Sequence, residues 1–235
     1  MSNIVSYLKK INRLTGWVGL MSGFLVTFAI TASSAWAANP NDLWFYITND
    51  KAQDVQDLLQ AGMNPNSINN KKQPALMQAV RDQAWKSFDV ILTNPNTDVN
   101  LGNQFDETPL MYVSLVGDTE RAQRLIARGA KVNKSGWTPL HYASVKGQAG
   151  VVKLLLANGA RVNEISPEGD TALLLAVQTD SMETVQLLIN AGADPLASNL
   201  KAQDSIDMAR LKGKDALARA LEKVVQDRKN KSKAQ

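Results

Sequence analysis

His141 is the single histidine of this 235-residue chain, and the chain contains no cysteine. A lone imidazole can act as a general base only beside a nucleophile and a group that orients the ring, and no such partner is identifiable around His141. The absence of cysteine excludes disulfides, thiolate zinc sites, iron–sulfur clusters, a cysteine nucleophile and a lipid-anchored cysteine. One histidine leaves almost no room for an imidazole metal site. The Asp and Glu residues show no metal-ligand spacing, and neither a phosphate-binding glycine pattern nor a nucleotide fingerprint occurs. The sequence therefore predicts no enzyme, no metal and no cofactor.

Charge directs the reading away from nucleic acid as well. The formal net charge is +4 and the isoelectric point is near 9.2. The basic excess sits at the two ends: Lys9, Lys10 and Arg13 before residue 38, and Lys223, Arg228, Lys229, Lys231 and Lys233 against Asp227 alone after residue 222. The body between carries 18 basic against 21 acidic residues. A nucleic-acid partner needs a basic face on the folded domain, and the body has none to spare.

Residues 1–37 have the layout of a secretory leader. The three basic residues precede an uncharged apolar run, Trp17 to Ile30, and Ala35-Trp36-Ala37 forms a small-residue site with cleavage expected before Ala38. The apolar run is shorter than the roughly 20 residues a membrane-spanning helix needs. A periplasmic location is the resulting expectation, with an uncleaved anchor and a membrane-tethered adaptor as the alternative. The cleaved protein would have no stable membrane insertion.

From residue 38 onward one unit recurs six times, starting near Asn41, Pro74, Thr108, Thr138, Thr171 and Asp204. Leu43, Leu76, Leu110, Leu140, Leu173 and Ile206 occupy one column. Tyr46, Ala79, Val113, Ala143, Ala176 and Ala209, mostly small, occupy another. Late in each unit come the pairs Leu58-Leu59, Ile91-Leu92, Leu125-Ile126, Leu155-Leu156 and Leu188-Ile189. Glycine closes most units.

The clearest unit, from Thr138, shows the physics. Thr138 is suited to cap a helix and Pro139 to occupy its first turn. Leu140 and Ala143 share one face, Ala143 being small enough to admit a neighbouring helix. Gly147 ends this helix, and Val151, Val152, Leu154, Leu155 and Leu156 form the apolar stripe of a second, which Gly159 ends. Residues 160–170 must then turn back as a projecting loop. Neither helix can bury its stripe alone, so the units must stack.

The Thr-Pro-Leu-His-x-Ala string at Thr138–Ala143, the period and the endings at Gly129–Asn133 and Gly159–Asn163 resemble ankyrin repeats. The resemblance covers residues 41–221. It implies an all-α solenoid of about six helix-turn-helix units with projecting β-hairpin-like loops, within a repeat domain spanning 38–225. It further implies that His141 bonds backbone between units, and that loop tips and first-helix ends line a concave face. The first and last units read as caps. The second departs from the pattern, with Gln83 where glycine is usual and Asn94-Pro95 where the second helix should end. The connection Asn133–Trp137 is three residues short, which predicts a blunted loop and a notch in the row of tips. Residues 226–235 lack apolar spacing and predict a basic, disordered tail.

On the implied concave face the centre is apolar and the flanks are polar. Phe105, Leu115, Val116, Trp137, Val145 and Lys146 form the expected protein-binding patch. The sequence thus points to a monomeric, non-enzymatic scaffold for a protein partner. Within that class, an immunity factor against a toxin and an accessory protein for an envelope or stress-defence enzyme both fit.

Overall fold

The computed structural model describes residues 39–233; the leader expected over residues 1–37 lies outside the described residues. The chain divides into two units, Met1–Trp36 and Ala37–Gln235, and the described helices all belong to the second.

These helices form six consecutive pairs: α1 (Pro40–Thr48) with α2 (Ala52–Gln60), α3 (Ala75–Arg81) with α4 (Trp85–Thr93), α5 (Pro109–Val116) with α6 (Thr119–Ala127), α7 (Pro139–Val145) with α8 (Ala149–Ala157), α9 (Ala172–Val177) with α10 (Met182–Asn190), and α11 (Ser205–Leu211) with α12 (Asp215–Lys233). Each first helix packs on its own second helix and on the first helices of the adjoining units. The pair α5 and α7, joined through the shortened connection, is in the most extensive contact. Two isolated antiparallel bridges, Ile68 with Pro74 and Ile165 with Thr171, are the only β pairing among the described residues.

The repeated columns are the core. Leu43, Leu76, Leu110, Leu140, Leu173 and Ile206 are all buried, as are Ala79, Val113, Ala143, Ala176 and Ala209. In the late pairs Leu59, Ile91, Leu92, Leu125, Leu155 and Leu188 are buried. The starting residues cap as their chemistry predicts: the hydroxyls of Thr108, Thr138 and Thr171 accept from Met111, His141 and Leu174 N–H, and Asp204 accepts from Ile206 and Asp207 N–H. The first unit starts slightly earlier than its column suggests, because Asn39 caps and Pro40 occupies the first turn of α1.

One set of polar contacts ties unit to unit, and a second closes the loops. Asn66, Asn100, Asn133 and Asn163 each donate a side-chain N–H to a carbonyl of the following unit (Asn96, Gly129, Gly159 and Gly192). Each also accepts from a backbone N–H two residues beyond that carbonyl, of Asp98, Lys131, Arg161 and Asp194. The loop tips share a second device, a side-chain oxygen that accepts from the second and fourth N–H after it: Asn69, Asn103, Ser166 and Asn199. The Asn133–Trp137 connection, three residues shorter, does not make this turn.

The degenerate second unit is repaired by its neighbours. Gln83 takes the left-handed conformation (φ 55°) without being glycine. At the end of α4, where glycine is missing, the Arg128 guanidinium from the third unit donates to Leu92 O and to Asn94 O (3.1 Å). The tail differs from expectation. Instead of fraying at residue 226, α12 continues to Lys233. Arg228 donates to Ala193 O (2.7 Å) and Ile189 O (2.9 Å) of the preceding unit, and Val225 packs on the core. Hydrogen bonding to carbonyls at the end of α10 supplies the order that apolar spacing does not. Residues 234–235 lie outside the described residues.

Candidate binding groove

The shortened connection leaves a groove of about 410 Å³ between neighbouring tips, lined by Phe105, Glu107, Lys134, Trp137, Tyr142 and Pro167 among others. Phe105 projects from its tip with 72% of its surface exposed. Trp137 is half-buried and meets His141 (5.6 Å, 77°) and Tyr142 (5.9 Å, 85°) edge to face, so it packs chiefly on its own helix. Lys134 turns back across the notch, where its ammonium pairs with the Asp106 carboxylate and donates to the Asp106 carbonyl (2.5 Å).

The expected patch is divided by the structure. Phe105 and Trp137 line the groove at the starts of α5 and α7. Leu115, Val116, Val145 and Lys146 stand at the far ends of those helices and do not line it. The length of α5 separates the two groups, about 10 Å at 1.5 Å per residue. Val116 and Val145 are exposed at 46% and 40%, Lys146 is exposed and Leu115 is half-buried. The Gln148 amide donates to Leu115 O (3.2 Å) and Val116 O (3.3 Å), joining the two units there.

The floor holds a polar cluster that the sequence pattern alone does not single out. The Glu107 carboxylate accepts from Asn103 Nδ2 (2.6 Å), from the Tyr112 hydroxyl (3.0 Å) and from the Tyr142 hydroxyl. Burial first, and then Glu107 itself, push both phenols above their ordinary pKa. They therefore stay protonated donors at any physiological pH. The available signal was that Glu107 and Trp137 share one column, and Tyr112 and Tyr142 another, in adjacent units.

His141 is buried, and its surroundings account for both ring nitrogens. Nε2 lies 3.1 Å from both Glu164 O and Asp170 O in the following loop. Two carbonyls require that nitrogen to carry the proton, and Nδ1 then accepts from Thr138 N–H (3.1 Å) and the Thr138 hydroxyl (2.8 Å). The imidazole is a strut between units, with no free nitrogen for base catalysis. Trp85 is likewise structural: it sits edge-on to Phe88 (6.0 Å), with the Arg121 guanidinium 4.5 Å over its ring.

Among the described residues no cluster of His, Asp and Glu is arranged to hold a metal ion, and no helix is long and apolar enough to cross a membrane. Comparison with known families matches residues 76–166 and 151–228 to the description "Ankyrin repeats (3 copies)". The crystal structure of an ankyrin repeat domain from Acinetobacter baumannii AYE is similar at 25% identity and a TM-score of 0.68, over 80% of this chain and 97% of that one. No curated protein matches the chain.

Proposed function

The chain belongs to the ankyrin-repeat family, and on that premise we propose that it is a non-catalytic scaffold, exported to the periplasm, which holds a protein partner against its first helices and loops. The observation that carries this reading is the groove beside Trp137, where a large exposed aromatic, Phe105, stands over a polar floor. Exposed aromatic side chains beside a cavity are the usual anchors of an interface centre. Export is supported by the basic, apolar and small-residue succession of residues 9–37. The partner is another exported protein, with a toxin to be neutralised and an envelope or stress-defence enzyme to be assisted as the two classes to search.

Capture from periplasmic extract identifies the partner, and Trp137→Ala then tests the site. The expected loss is about 2 kcal/mol or more, about thirtyfold in affinity, measured where the variant is fully folded, because losing the contacts with His141 and Tyr142 also lowers the thermal midpoint. A variant that loses stability but keeps its intrinsic affinity returns Trp137 to packing. Unchanged affinity and stability together place the partner elsewhere on the stack. Export is checked by the first residue of the purified protein: Ala38 is expected, whereas Met1 or Ser2 in the membrane fraction favours the tethered adaptor.

A further inference from the structure

Glu107 is a half-buried carboxylate with no ion pair among the described residues. Its three donors, an amide and two phenols, are all neutral. Lys134, the basic residue lining the same groove, is engaged by Asp106. Arg81 of the preceding unit acts on Tyr112 through space without pairing with Glu107. Among the side chains that line the groove, one lysine stands against Asp106 and Glu107, and with Lys134 held by Asp106 the surplus negative charge rests on Glu107.

The acceptor count is specific. Oε2 receives Asn103 and Tyr112, while Oε1 receives Tyr142 alone among the described residues, which leaves it capacity to accept from a ligand. The walls beside it are aromatic: Trp137, Tyr142 and, at the mouth, Phe105. Ring faces attract cations and also accept the methylene stem of a long basic side chain.

We propose that this groove receives a lysine or arginine side chain of the protein partner, bound by Oε1 of Glu107 and walled by Trp137, Tyr142 and Phe105. The proposal rests on the scaffold reading above and adds the chemistry of the residue recognised. A neutral or acidic residue seated there would strip water from Glu107 without supplying a positive charge, which is costly. The groove therefore selects against such residues as well as for basic ones.

The test uses the full-length protein as expressed and two blocked pentapeptides, each Ala-Ala-X-Ala-Ala, with X lysine or its uncharged isostere norleucine. The readout is the indole N–H resonance of Trp137, assigned with Trp137→Phe. The lysine peptide is expected to shift it at concentrations at least tenfold below those the norleucine peptide needs. Glu107→Gln, which keeps the shape, should erase that difference. An equal response to both peptides on the unaltered protein overturns the proposal, and so does undiminished lysine selectivity in a folded Glu107→Gln variant. If the peptides respond equally while Trp137→Ala still loses the partner, the cation site falls and the scaffold reading stands. Lysine-selective shifts with partner affinity indifferent to Trp137 give the reverse.

Discussion

His141 shows at the residue scale how burial converts a reactive group into a structural one. Its ring is held by four polar contacts and is shut away from water. Burial, only partly opposed by the Glu164 and Asp170 carbonyls, lowers its pKa from the ordinary 6.5. The folded chain therefore resists a proton that the unfolded chain accepts. Stability from this group is complete above pH 6.5 and is lost as pH falls through that value toward the lowered one, by at most about 1.4 kcal/mol per pH unit. Because the chain has no other histidine, the assignment is clean. The urea midpoint should drop between pH 7.5 and 5.5 in the natural protein and stay level over that range in His141→Gln. A parallel drop in both would assign the pH dependence to other groups.

At the scale of elements, four of the loops are closed by their own side chains, at Asn69, Asn103, Ser166 and Asn199. Gly169 and Gly159 have similar backbones (φ 80° and 79°), so an alanine at either would strain the left-handed conformation. Their surroundings differ. A Cβ on Gly159 would meet nothing within 4 Å, whereas one on Gly169 would lie 3.0 Å from both Asn199 Cα and Leu200 N. Backbone cannot step aside as a side chain can, and Leu200 N–H also donates to Glu168 O (3.0 Å), the bond that couples the two loops. Gly159→Ala should cost about 1 kcal/mol. Gly169→Ala should cost about 2–3 kcal/mol, the overpacking adding to the strain. Equal losses by denaturant titration would mean that these loops are not in register.

For the whole stack, stability is expected to be shared between neighbours rather than held by any one unit. Leu155 in α8 is fully buried, with units packed on both sides, while Leu217 in the last unit has a neighbour on one side only. Leu155→Ala should cost about 2–5 kcal/mol through lost burial and the cavity left behind. Leu217→Ala should cost clearly less, and similar losses would argue against the six-unit register. Arg228 adds a further consequence for the end of the stack. Since it satisfies Ile189 and Ala193 carbonyls, Arg228→Ala should cost about 1–2 kcal/mol and raise hydrogen exchange over residues 226–233. Unaltered exchange there would show that α12 holds by its own helix propensity.

The repeat itself was legible from sequence because it is encoded locally. Capping hydroxyls at Thr108, Thr138 and Thr171, a buried leucine two residues on and a small residue three beyond that each answer a short-range demand for hydrogen bonding or burial. Those demands recur wherever the same helix pair forms, so the columns and the shortened connection at Asn133–Trp137 could be read from the chain alone. What the tertiary structure alone decided were the choices of long polar side chains between units. Arg128 replaces a glycine missing 34 residues earlier, Arg228 orders a stretch with no apolar pattern, and Lys134 crosses to Asp106. Glu107, Tyr112 and Tyr142 meet because α5 and α7 stack side by side, and which hydroxyl reaches which carboxylate oxygen depends on space left after the core has packed. Periodicity records what every unit needs, whereas the groove arises where one unit departs from it, and its chemistry belongs to side chains that become neighbours only after the stack has formed.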